Sequence, residues 1–146
     1  MSADLRSTAV NGSPLGQPAG NPVGRRHVEA ELQPTARAPA SARALLDDLL
    51  REAPYGRAVD DARVVITELV TNAVLHAGAA GPLRLELDID DGVHVAVSDR
   101  SATRPVLRAL TTDEESGRGL QIVQRLSARW GVEYGDDGKR VWALVR

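Results

Sequence analysis

The chain predicts an α+β fold, a two-layer α/β sandwich with helices on one face of a mostly antiparallel sheet. Two stretches of helical periodicity, around Leu45–Leu50 and Ala58–Ala77, come before two stretches that alternate apolar and polar residues, Leu83–Ile89 and Val93–Ser98. Asp90-Asp91-Gly92 and Asp136-Asp137-Gly138 are Asp-Gly turn signals set between such strands, the pattern of antiparallel hairpins. A third apolar-periodic helix opens at Gly119.

Residues 1–24 are rich in Gly, Pro, Ser, Asn and Ala, bury little, and are expected to form a mobile tail; residues 25–146 form the domain. Arg26–Leu32 reads as an edge strand, ended by a connector from Pro34 to Pro39. Ser41 is placed to cap a helix running to about Glu52, with Leu45, Leu46, Leu49 and Leu50 on its apolar side and Pro54-Tyr55-Gly56 ending it. A long helix from about Ala58 to Ala77 follows, with Gly78 as terminator. Leu83–Ile89 and Val93–Ser98 make one hairpin. After the Gly119 helix, which runs to about Ala128, Val132–Tyr134 pairs with Val141–Val145.

A length of 146 residues fits one domain, and 42% hydrophobic residues suffices for one core. With no Phe, that core must be built from Leu, Val, Ala and Ile, with Trp130 and Trp142 as its large pieces. A net charge of −2, both signs interspersed, offers no basic field for nucleic acid. The absence of cysteine removes disulfides, thiolate chemistry and Cys-ligated zinc. No apolar run has the length of a membrane span or a signal peptide, so a cytoplasmic, membrane-free protein is expected.

Three pieces carry chemistry. Glu68 and Asn72 are four residues apart on the long helix and lie on one face, so a carboxylate and an amide point at one volume. The amide oxygen suits Mg²⁺, a hard cation that reaches sites together with nucleotide phosphates, and the carboxylate could deprotonate a hydroxyl. The same two residues would also serve as the wet stripe of an amphipathic helix. Asp99 continues the Val93, Val95, Val97 face of its strand, where a carboxylate needs a donor such as the amino group of adenine; alternatively it opens a turn. Gly117-Arg118-Gly119-Leu120 opens a helix, and backbone amides there suit phosphate, although such glycines also serve turn geometry alone. Leu120 also reads as core. His76, one turn beyond Asn72, reads as a helix-end histidine.

In this order, Glu68-x-x-x-Asn72, Asp99 and Gly117-x-Gly119 resemble the Bergerat-fold (GHKL) ATP-binding superfamily. Glu68-Leu69-Val70-Thr71-Asn72-Ala73-Val74-Leu75-His76-Ala77 resembles its anti-sigma-factor serine/threonine kinase branch, as do Trp130-Gly131-Val132 and Gly138-Lys139-Arg140-Val141-Trp142. The resemblance implies ATP and Mg²⁺ as cofactors. Asn72 would hold the metal, Glu68 would act as base toward a serine hydroxyl, Asp99 would bind the adenine amino group, and Gly117, Arg118, Gly119 and Leu120 would line the phosphates. It further implies a sigma factor and an anti-sigma-factor antagonist as partners, a role in transcription regulation, and a homodimer. The chain departs from the superfamily at Ser101 and Thr103, where glycines are usual, and at Arg140, where a threonine facing the adenine is expected. A regulatory binding module without kinase activity, nucleotide-gated or nucleotide-free, is the alternative.

Overall fold

In the computed structural model, the described residues are 8–11, 25–51, 56–77, 81–100, 115–136 and 138–146. They contain β1 (Thr8–Asn11), β2 (Arg26–Leu32), α1 (Ala38–Leu50), α2 (Arg57–Ala77), β3 (Leu83–Ile89), β4 (Val93–Asp99), α3 (Glu115–Leu126), β5 (Arg129–Gly135) and β6 (Gly138–Val145). The strands form one antiparallel sheet in the order β1-β2-β3-β4-β6-β5, with the helices on one face. The architecture is the α+β sandwich expected.

Strand alternation sets the two faces. Leu83, Leu85, Leu87 and Ile89 of β3 and Val93, Val95 and Val97 of β4 are buried in the helix-facing layer, while the residues between them point to the other side. α2 closes the core with Ala62, Val65, Ile66, Leu69, Val70 and Ala73, spaced as one helical stripe. Leu46 of α1 and Leu120 and Val123 of α3 complete it. Each fully buried Leu contributes about 1.5–3 kcal/mol, so this layer is what holds α2 fixed against β4 and β6.

Four expectations change. Thr8–Asn11 lies inside the stretch read as a tail, yet pairs antiparallel with Arg26–Glu29, so β2 is flanked on both sides and is not an edge strand. The remainder of residues 1–24 lies outside the described residues. α1 starts at Ala38 with Pro39 inside its first turn and no side-chain cap, because proline is tolerated where the backbone N–H has no helical partner. Trp130 packs against the core, but Trp142 is on the opposite sheet face, where its ring stacks on His94 at 5.8 Å. Gly131, paired with Trp142 across the β5–β6 ladder, makes room for that indole; a Cβ there would sit 3.0 Å from the ring. Finally, α3 begins at Glu115, so Gly117 and Gly119 lie in its first turns, not ahead of it.

Candidate functional site

The site forms where the second half of α2 meets the ends of β4 and β6 and the start of α3. The i, i+4, i+8 spacing of Glu68, Asn72 and His76 places all three along one side of α2. Asn72 is buried at 4% exposure, next to the core residues Leu69 and Ala73. Its Oδ1 is buried and accepts from no donor among the described residues. An unpartnered buried polar atom costs about 1–3 kcal/mol, so this oxygen is a spare acceptor held in place by the surrounding core.

Glu68 is half-buried, and burial holds its carboxyl above the ordinary carboxylate range. α3 comes close against it. A Cβ on Gly119 would lie 2.7 Å from Glu68 Oε2, so glycine at this position lets the helix backbone approach the carboxylate. The side chain of Leu120 is spent in the core at 1% exposure, which leaves only its backbone for any ligand. Gly117 and Arg118 are in the same helix, and the Arg118 side chain lies outside the described residues.

Asp99 is the last residue of β4 and continues its helix-facing stripe, as its parity predicts. Its donor is supplied by the chain itself. Lys139, directly opposite on β6, places Nζ 3.2 Å from Asp99 Oδ2, with both side chains buried, 1% exposed for Lys139 and 3% for Asp99. Lys139 is the residue that sequence reasoning missed. It continues the Val141, Ala143, Val145 stripe of β6 as Asp99 continues that of β4, so alternation alone could have found it. Arg140, where the site contact was sought, has the opposite parity: it lies on the other sheet face, 2.9 Å from Glu86 and 3.3 Å from Glu133.

Backbone geometry locks this corner. Gly138 has φ +133°, and a Cβ there would overlap the Asp99 carbonyl, so β6 can come this close to β4 only with glycine. His76 lies near the ion pair. Burial lowers its pKa, the Lys139 charge lowers it further, and Asp99 partly opposes both; its Nε2 is buried without a partner among the described residues. A cavity of about 340 Å³, within the range of small-ligand pockets, is lined by Ser98 and Asp99 at the end of β4, residues 133–136 at the end of β5 and residues 138–140 at the start of β6, so it opens at the strand ends and takes in Glu133 and Arg140 of the other sheet face as well as Asp99 and Lys139. Ser101 and Thr103 lie outside the described residues.

A buried amide oxygen without a donor fits a hard cation that arrives with phosphates, whereas a metal held by the protein alone finds no cluster of three acidic, His or Cys ligands among the described residues. No described helix is long and apolar enough to cross a membrane. An uncharacterized protein of Streptomyces coelicolor is 36% identical over 81 residues, which cover 52% of this chain and 76% of that protein. The histidine kinase-like ATPase domain family matches residues 30–145, a span that holds Glu68, Asn72, Asp99, Gly119 and Lys139. The chain therefore belongs to the histidine kinase-like ATPase domain family, whose domain is an ATP-binding one.

Proposed function

We propose that this protein is an ATP- and Mg²⁺-dependent serine/threonine kinase of the anti-sigma-factor kind, which sequesters a sigma factor and phosphorylates that factor's antagonist. The observation that carries the ATP-dependent part is the donorless, buried Oδ1 of Asn72, one helical turn from a carboxylate that burial holds above its ordinary range. Support for the sigma-factor part is the likeness of Glu68–Ala77 and of the Trp130–Trp142 stretch to that branch.

Asn72 would hold the metal, and the backbone of Gly117, Arg118 and Gly119 would line the phosphates. ATP supplies the phosphoryl group for transfer. Glu68 accepts the proton of the attacking serine hydroxyl, a task helped by a raised pKa, since the base must be poised near the working pH. Asp99 receives the adenine amino group. Positioning and electrostatics supply most of the acceleration in phosphoryl transfer, which makes the Glu68–Asn72 face central.

Thermal unfolding with and without Mg-ATP tests the first part. A ligand at about 100 times its dissociation constant adds roughly 2.7 kcal/mol, and a domain near 100 residues gains about 4–8 °C per kcal/mol. A Mg-dependent rise that Asn72→Ala abolishes supports the site; no rise at millimolar ATP refutes it. Transfer from labelled ATP to a candidate antagonist, lost in Glu68→Gln, tests the second. ATP binding without transfer to any antagonist would leave a nucleotide-gated binding module.

A further inference from the structure

Asp99 and Lys139 together form a donor–acceptor pair that the assignment of Asp99 alone does not use. They face each other across the β4–β6 ladder on the helix side of the sheet, and Nζ lies 3.2 Å from Oδ2. A lysine ammonium has three N–H donors and no acceptor. One direction is taken by Asp99. Beyond that ion-pair contact, Nζ is buried with no hydrogen-bond acceptor among the described residues. A buried cation with unspent donors is costly, because nothing replaces the water it has lost. The same pair is among the residues that line the 340 Å³ cavity at the ends of β4, β5 and β6, and its charges act on His76 of α2.

An adenine base presents the complementary pattern on one edge, an exocyclic amine that donates and, next to it, the ring nitrogen N1 that accepts. We infer that Lys139 is a second base-reading residue: as Asp99 accepts from the exocyclic amine, the Lys139 ammonium donates to N1. This rests on the ATP-binding reading of the same site. The pair is neutral as a whole, so it reads a neutral base edge without leaving net charge in the pocket. It also sets selectivity. With the six-position of the base against Asp99, guanine would turn a carbonyl oxygen toward the carboxylate and an N–H toward the ammonium, opposing both contacts.

Isothermal titration of the full chain with ATP, 1-deaza-ATP (N1 replaced by C–H, the amine kept) and GTP, each with Mg²⁺, tests it. Wild type should bind 1-deaza-ATP and GTP roughly 10- to 100-fold more weakly than ATP, the range for a hydrogen bond to a charged group. Lys139→Met should bind ATP and 1-deaza-ATP alike. Equal affinity of wild type for ATP and 1-deaza-ATP overturns the inference and needs no variant to fold. So does a folded Lys139→Met that binds ATP as well as wild type or better, since the ammonium would then be a plug and not a reader. GTP bound as tightly as ATP overturns the proposed orientation of the base. If wild type binds no nucleotide at all, the ATP reading of the site falls and this inference with it; if ATP binds but the analogue comparison is flat, only the role of Lys139 falls.

Discussion

Removing one member of the buried Asp99–Lys139 pair should cost the fold far more than an ion pair usually does. Exposed pairs are worth about 0–1 kcal/mol. Here the two side chains are 1% and 3% exposed, so a lone survivor cannot recover its hydration without local opening. Breaking such a pair from one side costs about 3–5 kcal/mol. At about 4–8 °C per kcal/mol for a domain of this size, Lys139→Met or Asp99→Leu should lower Tm by roughly 12 °C or more. Replacing both together by apolar residues of similar volume, Asp99→Leu with Lys139→Met, should recover most of that loss, because the penalty belongs to the uncompensated charge and not to the missing attraction. The assay is urea unfolding of the four proteins at pH 7, with the coupling energy taken from the cycle. Raising salt to about 1 M should barely change the coupling, since buried charges escape screening. A single variant that loses less than about 1 kcal/mol, or a double variant as unstable as the sum of the singles, would refute the claim that the two charges are buried against each other.

Glu68→Gln should abolish phosphoryl transfer while stabilising the fold at neutral pH. The folded carboxyl is held above its ordinary range, so the native state binds more protons there and stability falls as pH rises through that window; a pH series of urea midpoints checks it. His94 has its pKa lowered by burial and by Arg140, against Asp88, Glu86 and Glu133, so its contribution is lost as pH falls below about 6.5 through its folded value. His27 has the opposite sign: burial alone would lower its pKa, but the hydrogen bonds and charges of Asp88 and Glu29 outweigh it, so its contribution is present below about 6.5 and lost as pH rises through the folded value. NMR titration of the two rings should show them shifted in opposite directions. Gly138→Ala should destabilise by about 2 kcal/mol or more through a positive φ and the overlap with the Asp99 carbonyl, read as a lowered urea midpoint.

What was legible in the sequence was what periodicity controls. The α2 stripe, the β3–β4 hairpin and the inward parity of Asp99 follow from spacings of 3.6 and 2, which local sterics impose before any packing. Elements set by partners far along the chain were harder to see. β2 reads as an edge because Thr8-Ala9-Val10-Asn11 is too short and polar to announce a strand, and only pairing with Arg26–Glu29 makes it one. Pro39 reads as the end of the connector after β2, yet in a first turn, where its missing N–H has no helical partner to lose, proline sits inside the helix. Trp142 was assigned to the core by its hydrophobicity, although its parity with Arg140 and Leu144 places it on the other face. The same parity identifies Lys139; a charged residue at the end of an apolar stripe reads as surface until the opposite charge is found directly across the ladder.

The unpartnered atoms of this protein are not scattered. Among the described residues, five buried side-chain atoms lack a hydrogen-bond partner, and three of them, Asn72 Oδ1, His76 Nε2 and Lys139 Nζ, belong to the site, the last holding only its ion-pair contact with Asp99. At about 1–3 kcal/mol each, the two atoms with no partner of any kind, Asn72 Oδ1 and His76 Nε2, withhold roughly 2–6 kcal/mol from a fold whose total stability is of the order of 5–15 kcal/mol. The leucine- and valine-lined layer beneath packs α2 against β4 and β6, and its burial offsets this deficit. A ligand that supplies a cation to the amide oxygen and an acceptor to the ammonium would recover part of that energy on binding. The stabilisation by Mg-ATP should therefore shrink in Asn72→Ala and in the Asp99→Leu/Lys139→Met pair even where the unliganded variants are about as stable as wild type, because these variants have given up the deficit that the nucleotide repays.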